Sequence, residues 1–169
     1  MTERRLSPDK EIERARRKRT PTPAPSSAQS PPGVHSWLGE DITLARHILV
    51  VDDEPDLREL LGVILEWAGY QVTRAADGRE ALARVKEGSF DLVILDIMMP
   101  GLDGWEVCQR LKTSEKTRRL PVILLTIRSQ PMDKVVGLEV VRADAYLTKP
   151  FDRAELLAKV ESLIGQPEA

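Results

Sequence analysis

Five residues suited to phosphoryl or metal chemistry follow short apolar runs in this 169-residue sequence. In chain order they are Asp52, Asp53, Asp96, Thr126 and Lys149. Three carboxylates held close together repel one another, which raises their pKa values unless a cation lies among them. Carboxylate oxygens suit Mg²⁺, and a carboxylate beside Mg²⁺ can attack a phosphoryl group to form an aspartyl phosphate. These residue types therefore predict a magnesium-dependent phosphoryl site.

The elements that would position these residues alternate between strand and helix patterns. Short β-type runs predict strands at 48–51, 71–75, 92–95, 122–125 and 145–147, and helices are predicted at 55–68, 79–86, 104–112, 131–140 and 153–164. In the first helix, the predicted buried stripe is Leu57, Leu60, Leu61, Ile64, Leu65 and Ala68. Such alternation predicts a parallel sheet with helices on both faces, where ligands bind beyond the carboxyl ends of the strands.

Composition divides the chain into a basic arm and an acidic domain. Residues 1–47 carry nine Lys/Arg and six Asp/Glu. Residues 48–169 carry sixteen Lys/Arg and 21 Asp/Glu. We expect a disordered, basic and Pro-rich extension at 1–45, a folded domain at 46–165 and a short tail at 166–169. The sequence shows no membrane span or signal peptide, and its single cysteine, Cys108, suits a reducing compartment, so we expect a cytoplasmic protein.

Four ordered motifs resemble those of response-regulator receiver domains in two-component signalling. They are VDDE at 51–54, DIMMPGLDG at 96–104, Leu125-Thr126, and YLTKPF at 146–151. The resemblance covers about residues 46–165. It implies a flavodoxin-like, doubly wound α/β fold with a five-stranded parallel sheet in the order 2-1-3-4-5 and five helices.

The resemblance also implies a ligand set for Mg²⁺. Asp96 corresponds to the phosphorylated aspartate. Asp53 and Asp96 correspond to direct metal ligands, Asp52 to a water-mediated ligand and the Met98 carbonyl to a backbone ligand.

Three further positions correspond to the family's response machinery. Thr126 corresponds to the switch hydroxyl, Lys149 to the phosphate-pairing lysine and Tyr146 to the aromatic residue that moves inward on activation. The Lys149–Pro150 bond corresponds to one that is cis in the family.

Two features depart from the family pattern. Ile127 stands where a small residue is usual, and we expect it to crowd the phosphate entrance or hinder Thr126. The stretch 138–145, LEVVRADA, lacks the usual glycine after the helix, so we expect an altered loop before Tyr146.

Simpler structural roles compete with these interpretations. Asp52 and Asp53 could cap the first helix, and Thr126 and Lys149 could be ordinary residues at strand ends. Asp103 is predicted to be a turn residue or helix cap, Cys108 a buried thiol, and Trp67 and Trp105 packing residues.

The favoured function is a non-enzymatic switch, phosphorylated by a sensor histidine kinase or phosphotransfer protein and read by an unknown downstream protein. Because the chain ends five residues after Ile164, we expect no output domain, and a phosphorylation-dependent homodimer is a second mode of output. We expect no membrane partner, and nucleic-acid binding only through the basic tail at 14–19. The alternatives are a phosphorylation-incompetent receiver that only binds protein, and an aspartyl-nucleophile phosphatase. Met98 occupies the position of the second acid of such phosphatases, which disfavours the latter.

Overall fold

A computed structural model describes residues 45–127 and 141–167, which contain five strands and four helices. In chain order these are β1 (His47–Val51), α1 (Pro55–Trp67), β2 (Gln71–Ala75), α2 (Gly78–Glu87), β3 (Leu92–Asp96), α3 (Gly104–Thr113), β4 (Val122–Ile127), β5 (Ala145–Lys149) and α4 (Arg153–Ile164). All strands pair in parallel in the order β2-β1-β3-β4-β5, which confirms the predicted sheet. The helix predicted at 131–140 and residues 1–44 of the predicted extension lie outside the described residues.

The sheet is buried on both faces because each inner strand is a continuous apolar run. Successive side chains of a strand point to opposite faces. One set packs with α2 and α3, and includes Leu49, Val93, Leu95, Leu124, Ala81, Val107 and Leu111. The other packs with α1 and α4, and includes Ile48, Val50, Ile94, Ile123, Leu61, Leu65, Leu156 and Val160. Each such burial contributes about 1.5–3 kcal/mol, so the two cores fix the sheet that carries the strand-end residues.

Three helices begin with an aspartate that caps the first turn. Asp77, Asp103 and Asp152 each accept a hydrogen bond from the amide three residues later, at 2.8, 2.9 and 2.8 Å respectively. A cap of this kind contributes about 1 kcal/mol, because it satisfies an amide that has no partner within the helix. The cap predicted at Asp103 is therefore confirmed.

The exposed side of α1 is wider than the sequence predicts. Leu60 is 53 % exposed and Trp67 is 78 % exposed, so their assignment to packing positions was wrong. The two residues lie seven positions apart and hence on the same side of the helix. The buried residues of α1 are Leu61, Gly62 and Leu65, which form a narrower stripe.

The last two strands are longer than predicted, and an unusual backbone conformation precedes β5. Thr126 pairs with Thr148 and Ile127 with Lys149, which extends both strands toward the candidate site. In the glycine-free loop, Arg142 has φ of 59°, a left-handed conformation that favours glycine. Among the described helices, none is long and apolar enough to cross a membrane.

Candidate functional site

Three carboxylates meet at the carboxyl edge of the sheet. Asp52 directly follows β1 and Asp96 ends the neighbouring strand β3, so parallel pairing brings them together. Asp53 joins them, and carboxylate oxygens from all three residues lie within 4.8 Å of one another. Asp52 and Asp96 are buried, whereas Asp53 is exposed. The cluster therefore has an inner pair of acids and an outer acid that faces solvent.

Lys149 connects the two buried acids. Its Nζ lies 3.2 Å from Asp52 Oδ2 and 3.3 Å from Asp96 Oδ1. It stands at the end of β5, two strands from Asp96 in the sheet order, so the long side chain reaches across the end of β4. One ammonium group among three carboxylates leaves an excess of negative charge, which is the condition that favours a bound cation.

The electrostatics of Asp96 follow from its burial. Burial, and next the charge of Asp52, raise the pKa of Asp96, whereas Lys149 and the Met98 amide lower it; the net result is a rise from 3.8 to about 6. For Lys149, burial lowers the pKa, but the nearby Asp96 and Asp52 carboxylates outweigh it and the pKa is raised. At pH 7 Asp96 is hence mostly ionised and Lys149 is protonated.

The donor set fits a hard divalent cation, because all three side chains offer carboxylate oxygens. The inner acid is already oriented: Asp52 Oδ1 accepts a hydrogen bond from the Glu54 amide at 2.9 Å, at the entrance to α1. Glu54 is the N-cap residue of α1 and no side-chain cap hydrogen bond forms there, so the alternative in which Asp52 or Asp53 caps this helix is not borne out. The Met98 amide donates to Asp96 Oδ1 at 3.4 Å, and the ligand role of the Met98 carbonyl stays a prediction.

Two residues that the sequence reasoning missed hold the backbone beside the acids. Arg58 Nη1 donates to the Asp52 carbonyl at 2.7 Å. Gly104 donates its amide to the Ile97 carbonyl at 3.0 Å, and a Cβ added at Gly104 would lie 2.7 Å from the Ile97 Cα. Only glycine lets α3 approach the chain that follows Asp96 so closely. The final glycine of the DIMMPGLDG motif was the available signal for this contact.

The residues predicted to respond lie on β4 and β5. Thr126 is buried, and its Oγ1 donates to the Ile127 carbonyl at 3.4 Å. Asp96 pairs with Leu125, so Thr126 is one position beyond Asp96 on the neighbouring strand. The Tyr146 ring is buried, and its centroid lies 6.3 Å from that of Trp105. The switch roles of Thr126 and Tyr146 stay predictions.

The two positions that depart from the family pattern border the site differently. Ile127 is 51 % exposed, and strand alternation puts its side chain on the opposite face of β4 from Thr126. Crowding of the phosphate entrance by Ile127 stays a prediction. The Lys149–Pro150 peptide bond is cis, as the resemblance implies.

Comparison with known sequences gives a consistent family. The protein-family model described as "Response regulator receiver domain" matches residues 48–161 of this sequence. The DNA-binding dual master transcriptional regulator RpaA of Synechocystis is 45 % identical over 121 residues, covering 72 % of this chain and 50 % of RpaA. The alkaline phosphatase synthesis transcriptional regulatory protein PhoP of Bacillus subtilis is 43 % identical over 123 residues, covering 73 % of this chain and 50 % of PhoP. The chain thus spans about half the length of these curated relatives.

Solved structures show the same fold around a magnesium site. The response regulator TrrA of Thermotoga maritima, in complex with Mg²⁺-BeF, is 42 % identical with a TM-score of 0.62, covering 70 % of this chain and 98 % of TrrA. The receiver domain of a sensor histidine kinase from Pseudomonas aeruginosa, with magnesium coordinated in its active-site cleft, is 33 % identical with a TM-score of 0.66. That match covers 72 % of this chain and 99 % of the kinase receiver.

Proposed function

Because the chain belongs to the response regulator receiver domain family, we propose that it is a phosphorylation-dependent switch whose acceptor is Asp96. The observation that carries this proposal is the contact of Lys149 Nζ with both Asp52 and Asp96 beside a third carboxylate. The phosphoryl donor would be a phosphohistidine on a sensor histidine kinase or a phosphotransfer protein. RpaA and PhoP are named as transcriptional regulators, which favours the control of transcription as the output.

Phosphoryl transfer needs an ionised acceptor in a site that limits water. With a pKa of about 6, Asp96 is roughly 90 % ionised at pH 7. One of its oxygens would attack phosphorus while the phosphorus–nitrogen bond of the donor breaks, and the imidazole nitrogen would keep the electron pair and take a proton. The product is an acyl phosphate on Asp96.

Bound Mg²⁺ would neutralise charge on the carboxylates and the phosphoryl oxygens. Asp52, Asp53, Asp96 and the Met98 carbonyl are the proposed holders of the ion. Met98 takes the place of the second acid of aspartyl phosphatases, so we propose that the domain holds the phosphoryl group on Asp96 as a signal rather than hydrolysing small phosphate esters.

Phosphorylation would change what Lys149 and Thr126 contact. The new negative charge lies on the phosphoryl oxygens, and an ammonium group pairs strongly with such oxygens. The Lys149 ammonium would therefore leave the Asp96 carboxylate and pair with a phosphoryl oxygen. Thr126 would turn its hydroxyl toward the same oxygens. Tyr146 would then fill the space that Thr126 leaves, and the surface at β5 would change for a downstream protein or a second copy to read.

The first test is Mg²⁺-dependent phosphorylation by acetyl phosphate, followed by intact-protein mass spectrometry. We expect wild type to gain about 80 Da, the mass of one phosphoryl group on an aspartate, and Asp96→Ala to gain none. Asp103→Asn is the matched control, because it alters an acid of the same loop that caps α3 and lies outside the cluster. A gain that persists in Asp96→Ala would exclude Asp96 as the acceptor, and a gain that persists after removal of Mg²⁺ would exclude the proposed role of the ion.

The second test follows the switch through Trp105. Of the chain's three tryptophans, Trp37 and Trp67 are first replaced by Phe, so that the fluorescence reports the ring beside Tyr146. Phosphorylation or a beryllofluoride mimic should change this emission in wild type and in the Thr148→Ala control. In Thr126→Ala the change should be lost although the acceptor is still phosphorylated. A full response in Thr126→Ala would remove Thr126 from the proposed switch.

A further inference from the structure

A concavity at the opposite edge of the sheet from Asp96 is lined almost entirely by cations. It has a volume of about 360 Å³, and its lining residues are Lys112, Arg118, Arg119, Arg142 and Asp144. They come from the end of α3, the turn before β4 and the loop before β5, where the strands begin. We propose that this arginine concavity is a second ligand site, independent of phosphorylation, that binds a compact polyphosphate group.

A fixed ion pair forms one wall of the arginine concavity. Lys112 Nζ lies 2.6 Å from Asp144 Oδ2 and donates to the Leu120 carbonyl at 2.7 Å, and the lysine side chain is only 7 % exposed. The same carboxylate oxygen accepts the Val122 amide at 2.8 Å. The carboxylate of Asp144 is therefore committed to Lys112 and to the backbone, and the pair adds no net charge.

The other three cations of the concavity are arginines that form no salt bridge with any described residue. Arg118, Arg119 and Arg142 are exposed, and no carboxylate within residues 45–127 and 141–167 forms a salt bridge with any of them. The rest of the domain has the opposite sign, since 48–169 carries 21 acids against sixteen bases. Three guanidinium groups around one hollow repel one another, and an anion that enters would relieve this repulsion.

The backbone at Arg142 supplies an independent indication. Its φ of 59° lies in the left-handed region, where a residue with a Cβ is strained and glycine is favoured. An arginine here costs stability, yet it contributes a guanidinium group to the hollow. Strained residues of this kind are concentrated at ligand sites, where the side chain is needed in one position.

Guanidinium groups recognise phosphate through paired hydrogen bonds, and three of them suit two or three adjacent phosphates. A long nucleic acid fits less well, because its remaining phosphates would meet a net acidic domain. The lining residues also include no aromatic ring on which a base could stack. The group recognised is hence a di- or triphosphate, either as an inorganic chain or as the tail of a nucleotide.

The test is calorimetric titration of the full chain with sodium tripolyphosphate and with ATP, in Mg²⁺-free buffer at physiological ionic strength. We expect tripolyphosphate to bind and to raise the melting temperature, and Arg119→Gln/Arg142→Gln to weaken binding at least tenfold. Arg79→Gln, which removes an exposed charge from α2, should change the affinity less than twofold. Without ligand and at low salt, the double variant should melt at or above the wild-type temperature, because repulsion has been removed.

Equal affinities for tripolyphosphate and ATP would support recognition of the phosphate chain from either source, and tighter tripolyphosphate binding would assign the inorganic chain. The proposal is overturned if tripolyphosphate does not bind at millimolar concentration, or if the double variant binds it as wild type does. Binding of duplex DNA without binding of tripolyphosphate would also overturn it, and would point to nucleic acid instead.

Discussion

Asp96→Asn should stabilise the metal-free protein, although it destroys the proposed acceptor. Burial, with the charge of Asp52, raises the pKa of Asp96 from 3.8 to about 6. Each pKa unit corresponds to about 1.4 kcal/mol, so ionised Asp96 costs the fold about 3 kcal/mol at pH 7. An asparagine side chain has the same shape as aspartate without the charge, but it weakens the electrostatic attraction to Lys149. We therefore expect a net gain of about 2 kcal/mol in the free energy of unfolding.

The gain in the free energy of unfolding of Asp96→Asn should increase as the pH rises. Because the folded-state pKa is raised, the neutral form's contribution to stability is fully present below pH 3.8 and is lost as pH rises through about 6. The difference between Asp96→Asn and wild type should thus be small near pH 4, grow between pH 4 and 6, and level off at pH 7. Differences in other titrating groups cancel between the two proteins.

Urea unfolding in EDTA at pH 4 and pH 7, followed by circular dichroism, measures both values. Asp103→Asn, an exposed cap, should show no such pH-dependent gain. Added Mg²⁺ at 100 times its dissociation constant should stabilise wild type by about 2.7 kcal/mol and Asp96→Asn by much less. The reasoning is refuted if Asp96→Asn is no more stable than wild type in EDTA at pH 7, or if the difference is equally large at pH 4.

Three further substitutions test the surroundings of the site. Gly104→Ala should lower the free energy of unfolding by about 3 kcal/mol, because the added Cβ collides with the backbone of Ile97. The control is Gly88→Ala, whose added Cβ would have its nearest contact at 3.6 Å. Its free energy of unfolding should stay within about 0.5 kcal/mol of wild type. Equal effects in urea unfolding would contradict the close approach. Arg142→Gly should raise ligand-free stability by up to about 1 kcal/mol, because it relieves a left-handed residue, and a loss in the same assay would argue against strain there. Lys149→Met should raise the pKa of Asp96 above about 6 in a metal-free carboxyl NMR titration, since Lys149 lowers it in wild type, and an unchanged pKa would show that Lys149 is not its partner.

The sequence predicted the elements well because their signals are local. A run such as ILVV at 48–51 can be buried on both faces only as an inner strand, and the capping aspartates mark helix starts. The chemistry-bearing residues were found because they stand at the ends of such runs. The strand order, in contrast, was implied by the family resemblance and could not be obtained from periodicity.

What the sequence could not predict depends on contacts between distant segments. Asp52 and Asp53 are neighbours of the same type, but one is buried and the other lies exposed at the bend between β1 and α1. Trp67 was expected to pack and instead faces solvent, because the buried stripe of α1 is narrow. The approach of Gly104 to the chain after Asp96 joins two elements whose spacing no local pattern encodes.

The strand order has a consequence for how such a domain can diverge. Asp96 ends β3, which has hydrogen-bonded neighbours on both sides, whereas Lys149 ends β5, which has one neighbour among the described strands. Local opening costs least at an edge, so amide hydrogen exchange should be faster along β5 than along β3. Under the proposed function, substitutions on β5 other than at Lys149 can therefore alter which protein recognises the domain, while the central strand β3 keeps Asp96 in place. Partner choice can then change without moving the proposed acceptor.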